Sequence, residues 1–241
     1  ISRHTLNLIR NAVRLDLVSK LPKPRLFSEL ELILKEEDPV AILRRVGELG
    51  LGPSIHPAIT LDRPQLELLG ETGEVLVWFS LLYLEEKAER WAVLFLSLLD
   101  PLPAAEAKKL AKDLGVRSRV REWVRECKDE GNEVVLRLLS APAVSRKMIH
   151  DVLSPLANEV ILHLMARTRH PDIRRYISLY FTQLKNVRPQ VKGQDLLGLG
   201  YPSGPRFKEI CDAALERKFA GELRSKEEEI AFVLSRFPRP A

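Results

Sequence analysis

Apolar residues recur at spacings of three and four along almost the whole chain, and this pattern constrains the fold more than any other feature. Near the start, for example, Leu6, Ile9 and Val13 fall on one helical face. The composition agrees, because the 241 residues include 42 leucines but only 5 threonines. Leucine favours helices, whereas threonine favours strands. The sequence therefore predicts an all-α protein, an elongated array of many helices.

The same periodicity places the later helices. After a first helix at 5–18, the predicted helices lie near residues 25–34, 39–49, 62–73, 75–86, 88–99, 103–113, 117–129, 131–139, 145–152, 154–167, 171–184, 207–215 and 226–237. Val75–Phe79 is the strongest alternative, since its run of Val, Trp and Phe also suits a buried strand. Residues 186–206 concentrate four of the twelve glycines and mark a boundary between domains.

Positive charge is concentrated towards the C-terminus. Residues 141–241 hold 17 Lys and Arg against 11 Asp and Glu, whereas residues 1–140 carry a net charge of −1. A basic half favours a polyanionic partner, usually nucleic acid, although ordinary compositional drift is an equal alternative.

Catalytic motifs are absent from the sequence. There is no phosphate-binding glycine loop, no Cys-x-x-Cys, no His-Glu-x-x-His and no Gly-x-Ser-x-Gly, so we expect no catalytic residue and no metal site. Acidic runs such as Glu227–Glu229 lie at helix ends and are expected to be solvated. His163 lies in an apolar segment and is expected to be partly buried and hydrogen-bonded rather than a ligand.

Other features of the sequence concern the cellular location of the protein, its contact with membranes and the start of the chain. The two cysteines are far apart in sequence, which suits reduced thiols and a cytoplasmic location. The longest apolar stretches are too short to span a bilayer, so no membrane contact is expected. The chain begins at Ile1 rather than Met and has no leader sequence, so we expect a piece of a longer polypeptide.

The segment around Gly204-Pro205 has the chemistry of an anion site. Pro205 suits the first position of a helix, whose free N–H groups can hold a phosphate. Arg206 and Lys208 place positive charge where the helix dipole disfavours it, and a bound anion would offset that penalty. The alternative is that the glycines only connect two helices tightly.

Several motifs occur in an order that resembles a known family. They are Ile1-Ser-Arg-His-Thr-Leu6, Arg25-Leu-Phe-Ser-Glu29-Leu30, Leu49-Gly50-Leu51 with His56-Pro57, Lys192-Gly-Gln-Asp-Leu196, Leu199-Gly200, Gly204-Pro205 and Gly221-Glu222-Leu223. This order is similar to the part that follows the catalytic head in class II tRNA nucleotidyltransferases and their poly(A) polymerase relatives. The first and last parts are specific, and the middle is only loosely similar.

The resemblance implies three regions: neck helices at 1–50, a helical body at 51–185 and a tail at 186–241. It also implies an RNA-binding fragment that holds the acceptor stem and elbow of tRNA while a catalytic head from the same parent chain adds CC, A, CCA or poly(A). The parent would use nucleoside triphosphates and magnesium, whereas this chain needs no cofactor.

We predict that basic residues of the body and tail contact RNA phosphates and 2′-hydroxyl groups, together with the backbone of Gly204. The candidates are Arg167, Arg169, Arg174, Arg175, Lys185, Arg188, Lys192, Arg206 and Lys208. The neck pair Arg25 and Glu29 is predicted to be structural or to face the head.

The sequence also departs from the family pattern. The motifs of the catalytic head are absent, so the chain alone is expected to be inactive, and Lys23-Pro24 replaces the Glu that commonly precedes Arg25. Leu99-Asp100 has no adjacent histidine, so the metal-dependent phosphohydrolase activity of some relatives is not expected. The competing hypothesis is a helical scaffold for protein–protein interactions with no RNA role.

Overall fold

The computed structural model describes residues 2–238, and these residues form helices without any strand. The prediction of an all-α multi-helix protein is confirmed. The helices are α1 Arg3–Arg14, α2 Lys23–Lys35, α3 Pro39–Glu48, α4 Gly52–Ile55, α5 Arg63–Ser80, α6 Arg90–Leu98, α7 Ala104–Asp113, α8 Ser118–Asp129, α9 Gly131–Ser140, α10 Arg146–Leu153, α11 Asn158–Arg167, α12 Pro171–Leu179, α13 Gly193–Gly198, α14 Pro205–Phe219 and α15 Lys226–Arg236. A π-helical turn, Tyr180–Leu184, continues α12.

Short polar side chains begin several of these helices. Asp62 Oδ1 accepts a hydrogen bond from the Gln65 N–H at 3.1 Å at the start of α5. At the start of α15, Ser225 Oγ accepts from the Glu228 N–H at 3.2 Å, and Glu228 accepts in return from the Ser225 N–H at 3.3 Å. Such caps satisfy backbone donors that have no partner inside the helix.

One continuous helix, α5, replaces two predicted helices. The sequence pattern predicts one helix that ends near residue 73 and another that begins near residue 75, but α5 runs through Gly70 and Gly73 to Ser80. The strand alternative for Val75–Phe79 is therefore wrong. Val75, Leu76 and Phe79 are buried on one face of α5, and burying this face compensates for the poor helix propensity of glycine.

The chain divides into two compact units, each built from two stretches of sequence. Unit 1 comprises Ile1–Leu139 and Leu156–Arg174, and unit 2 comprises Ser140–Pro155 and Arg175–Ala241. The chain thus passes between the units three times. The neck, body and tail boundaries inferred from the resemblance stay a prediction.

The core of unit 1 is built around α6. Every residue from Trp91 to Leu98 is buried, because α5, α11, α2 and α8 all pack against this helix. Close backbone packing also occurs after α3, where a Cβ atom on Gly52 would lie 2.2 Å from the Ile59 carbonyl oxygen. Only glycine fits at this position.

The tail has a separate small core in unit 2. Val191, Leu196, Tyr201, Ile210 and Val233 are buried together. Residues from the 186–206 segment and from both final helices contribute to it. The glycine-rich segment therefore folds onto α14 and α15 within this unit.

Candidate nucleic-acid interface

The two units differ in charge. Unit 2 holds fourteen Lys and Arg against nine Asp and Glu, whereas unit 1 holds 24 of each. The whole net charge of +5 therefore belongs to unit 2, which contains six of the nine predicted basic contacts: Arg175, Lys185, Arg188, Lys192, Arg206 and Lys208. Arg167, Arg169 and Arg174 belong to unit 1.

A fully buried carboxylate anchors the start of the tail. Glu229, on α15, is 0% exposed and accepts hydrogen bonds from the backbone N–H groups of Gln190 at 2.7 Å and Val191 at 2.9 Å. Its other oxygen accepts from Lys218 Nζ at 2.5 Å. The expectation that Glu229 is solvated is therefore wrong. The acidic run contains one structural carboxylate, and its burial could not be read from local charge.

The Lys192–Leu196 motif is also held by a carboxylate. Asp195 accepts from the Lys192 N–H at 2.7 Å and from Lys226 Nζ at 2.6 Å. The Lys226 hydrogen bond, followed by the Lys192 N–H, keeps the pKa of Asp195 below its ordinary value. Lys192 itself is exposed and, within residues 2–238, makes no ion pair. The motif thus fixes the tail while leaving a lysine facing solvent.

The Gly204–Lys208 segment begins α14. Gly204 has φ +155° and ψ −166°, and the space beside its Cα is open. Arg206 is half-buried: it donates to the Pro238 carbonyl oxygen at 2.8 Å and lies 5.9 Å from the Tyr201 ring. Lys208 is exposed and forms no ion pair in the described part of the chain. Arg206 therefore has a packing role, whereas Lys208 is available to a partner.

The three other predicted contacts of unit 2 lie near the π-helical turn. Arg188 Nη1 donates to the carbonyl oxygens of Lys185 and Val187, each at 2.8 Å. Lys185 is only 9% exposed, and its Nζ lies 5.7 Å from the Phe181 ring. Arg175 is exposed beside the Tyr176 ring. Burial of Lys185 makes it the least accessible of the predicted contacts.

In unit 1, two of the three arginines predicted to contact RNA form ion pairs with carboxylates. Arg167 Nε lies 3.2 Å from Asp100 Oδ1, and Arg174 Nη2 lies 2.5 Å from Glu71 Oε2. Arg169 is exposed and forms no ion pair with any described residue. All three arginines line a cavity of about 690 Å³. The structure thus brings these three together, but on a surface that also carries acidic groups.

A buried polar chain lies behind this cavity. Thr72 Oγ1 is 2.8 Å from Ser97 Oγ, which is 2.9 Å from His163 Nδ1. His163 Nε2 lies 3.4 Å from Asp100 Oδ1, without hydrogen-bond geometry. Burial opposes a charge on His163, but Cys127 and Asp100 outweigh it and raise the pKa of His163 to about 9. These two neighbours therefore favour the protonated form of the fully buried imidazole.

The two residues of the neck pair are exposed and form no ion pair with any residue in the range 2–238. Arg25 and Glu29 lie one turn apart on α2, yet no ion pair joins them in the structure. Their assignment as a structural or head-facing pair stays a prediction. Sequence reasoning also overlooked three exposed cations of unit 2 that form no ion pair within residues 2–238. They are Arg146, Arg224 and Arg236, and each could have been found from its place at a helix end or in a turn.

The described residues contain neither a three-ligand metal cluster nor a helix that could span a membrane. No group of three His, Cys, Asp or Glu side chains among residues 2–238 is placed to hold a metal ion. No helix in this part of the chain has both the length and the apolar character needed to cross a bilayer.

Comparison with known proteins identifies the relatives. The chain is 42% identical to an A-adding tRNA nucleotidyltransferase of Geobacter sulfurreducens over 235 residues, which cover 95% of this chain and 27% of that protein. Proteins of the same name from Aquifex aeolicus and Halalkalibacterium halodurans are 26% and 25% identical, over 87% and 86% of this chain and 25% and 45% of their own lengths. No family model matches the chain.

Solved structures show the same fold. The Thermotoga maritima CCA-adding enzyme complexed with tRNA_CCA matches with a TM-score of 0.77 and 22% identity, over 98% of this chain and 56% of that one. A tRNA-processing enzyme matches with a TM-score of 0.72 and 25% identity, over 89% and 54%. The chain thus spans between a quarter and just under half of the curated relatives, and it belongs to the tRNA nucleotidyltransferase family.

Proposed function

We propose that this chain is the RNA-holding portion of a tRNA nucleotidyltransferase and grips the acceptor stem and elbow of tRNA. The concentration of net charge on unit 2 carries this proposal, since unit 2 accounts for all of the +5. An A-form RNA helix offers mainly phosphates and 2′-hydroxyl groups, and exposed cations are the protein groups that recognise them.

The reaction itself belongs to the parent protein in this proposal. The catalytic head would add nucleotides to the tRNA 3′ end from nucleoside triphosphates with magnesium, in the cytoplasm. The names of the three curated relatives favour A addition over CC, CCA or poly(A). We expect the purified chain to extend no tRNA, because its sequence lacks the motifs of the catalytic head, whose aspartates hold the metals of in-line phosphoryl transfer in the family.

The structure refines which residues should contact RNA. Lys192 and Lys208 are exposed and free of ion pairs among the described residues, so they are the strongest candidates. Arg206 is a poorer choice for mutation, because its loss would also release Pro238. Gly204 keeps its predicted role near the RNA backbone, since open space lies beside it.

A salt titration of tRNA binding tests the proposal. Replacing Lys192 and Lys208 together by Ala should weaken binding and make the slope of log affinity against log salt shallower by roughly 1–2, about one unit per lost phosphate contact. The matched control is Lys109→Ala with Lys112→Ala, two exposed lysines of unit 1 that also form no ion pair with described residues.

The control should keep the wild-type slope. Equal effects of the two double variants would contradict the assignment of RNA binding to unit 2. Binding of tRNA that is insensitive to salt, or absent, would favour the protein–protein scaffold instead, since an apolar interface depends little on ionic strength.

A further inference from the structure

The cavity of about 690 Å³ in unit 1 has one acidic and one basic wall. The acidic wall is α5, where Glu67, Glu71 and Glu74 follow one another at spacings of four and three. The basic wall runs from the end of α11 to the start of α12 and carries Arg167, Arg169 and Arg174. Each wall keeps one charged side chain without an ion pair in the described part of the chain, Glu74 on one side and Arg169 on the other.

The floor of the cavity holds an ionised carboxylate. Burial opposes the charge of Asp100, but contact with His163 and the nearby charges of Arg167 and Lys128 keep its pKa below the ordinary value. Lys128 Nζ donates to the Asp100 carbonyl oxygen at 2.9 Å and to the Leu102 carbonyl oxygen at 2.8 Å, which fixes the backbone there. Asp100 is thus a positioned hydrogen-bond acceptor that lines the cavity.

One position on the acidic wall is a glycine and has no side chain. Gly70 lies in the middle of α5 and lines the cavity, and no atom lies within 4 Å of where its Cβ would be. Neither packing nor backbone geometry requires glycine here, and glycine weakens a helix relative to other residues. Its absent side chain leaves room for something outside the chain to approach α5 closely.

These features restrict the chemistry of an occupant. A purely anionic group would be repelled by the three glutamates, and a purely cationic group by the three arginines. Arginines recognise phosphate, and carboxylates accept hydrogen bonds from ribose hydroxyls and from base amino groups. A nucleotide has all of these groups in one molecule, and about 690 Å³ lies within the range of small-ligand pockets.

We propose that this cavity binds one nucleotide of single-stranded RNA, with its phosphate on Arg169 and the hydrogen-bond donors of its base on Glu74 and Asp100. The inference rests on the proposed RNA-holding function for the source of the nucleotide. It adds a second, base-contacting site in unit 1 to the phosphate contacts of unit 2. The exposed Arg169 attracts the phosphate. The carboxylates of Glu74 and Asp100 need hydrogen-bond donors, which the nucleoside part of the nucleotide supplies.

The first test compares small probes by NMR titration of the whole chain. Cytidine 5′-monophosphate should shift resonances of α5 and of residues 166–174. Cytidine and ribose 5-phosphate should bind at least tenfold more weakly, because each lacks the groups for one wall. Equal binding of ribose 5-phosphate and the nucleotide would overturn the proposal, since only an anion site would then exist.

The second test blocks the cavity without disturbing the fold. Gly70→Leu places a side chain in open space and favours the helix, so the variant should fold and lose nucleotide binding by at least tenfold. The matched control is Gly73→Leu, on the same helix and equally free of neighbours but outside the cavity lining. The control should bind the nucleotide like wild type. Unchanged binding by folded Gly70→Leu would overturn the proposal.

Competition identifies the source of the nucleotide. A single-stranded tri- or tetranucleotide RNA should displace cytidine 5′-monophosphate from the cavity, and failure to do so would contradict an RNA occupant. The outcome is separable from that of the proposed function. A chain that binds tRNA through unit 2 but no nucleotide in this cavity would refute only the present inference, whereas loss of salt-dependent tRNA binding would refute the RNA-holding role.

Discussion

Unit 1 and unit 2 differ in their net charge and in the titratable side chain that each of them buries. Unit 1 balances 24 cationic with 24 anionic residues and buries His163 beside Asp100, whereas unit 2 carries the excess of +5 and buries Glu229 against Lys218. In both units the buried titratable side chain organises the backbone or packing around it. The difference shows that a neutral unit can still contain strongly placed charges, and that net charge alone does not locate the functional side chains.

The largest expected effect comes from the buried anion of unit 2. Glu229→Gln removes the counterion of Lys218, whose side chain is 16% exposed, and weakens the bonds to the N–H groups of Gln190 and Val191. Breaking a buried ion pair from one side costs about 3–5 kcal/mol. Amide hydrogen exchange should therefore report lower protection in α13–α15 and unchanged protection in α5, α6 and α11.

The isosteric control is Glu209→Gln, an exposed residue of α14 without an ion pair among the described residues. It should change the free energy of unfolding by less than about 0.5 kcal/mol. Equal loss of amide-exchange protection in both units after Glu229→Gln would contradict the contrast between the units, because the two would then unfold together.

The surroundings of His163 predict a dependence of the stability of unit 1 on pH. The pKa of His163 is about 9 in the folded chain, above the ordinary value of 6.5, so the folded state binds the proton more tightly. The resulting stabilisation is complete below about pH 6.5 and is lost as the pH rises to 9. Although burial opposes the shift, the contact with His163 lowers the pKa of Cys127, and the titration of that thiol opposes part of the loss. Urea unfolding monitored in α6 and α11 should show the net loss of stability across this range.

Two variants sharpen this prediction. His163→Gln should abolish the dependence attributable to this group, leaving a flatter profile between pH 6.5 and 9. Cys127→Ala should narrow the pH range over which stability changes, because Cys127 makes the largest contribution to raising the pKa of His163. A wild-type profile in both variants would show that another group is responsible.

The smallest effect concerns the neck. Arg25 is an exposed cation of unit 1 without an ion pair in the described residues, so it tests whether any unpaired cation would contact RNA. Arg25→Ala should change the free energy of unfolding by no more than about 0.5 kcal/mol, since even a formed exposed pair contributes little. Its tRNA affinity should stay within a few-fold of wild type. A tenfold loss in a folded variant would make Arg25 an RNA contact.

The sequence predicted the helices well and the side-chain partners poorly, for a physical reason. Helical periodicity is local, so the apolar face of α1 or α15 is visible within a dozen residues. Ion pairs such as Lys218 with Glu229 or Arg174 with Glu71 join residues from different helices. No local pattern distinguishes buried Glu229 from its exposed neighbours Glu227 and Glu228.

Gly70 and Gly73 show the limit of local rules even for secondary structure. Two glycines three residues apart normally suggest a helix end. In α5 the buried face on either side of them overrides that preference. Of the two, Gly70 lines the cavity, and no local rule predicts this, because open space beside a glycine is a property of the folded chain.

The interleaved order of the two units has a consequence for synthesis on the ribosome. Helices α5 and α6 emerge early, but their partner α11 belongs to residues 158–167 and follows a stretch of unit 2. Until that segment leaves the exit tunnel, the apolar surface that α11 will cover is exposed on the nascent chain and is open to chaperones or to aggregation. A stop codon anywhere between residues 140 and 157 would therefore yield a product with an incomplete first unit, rather than a clean truncation that only lacks its tail.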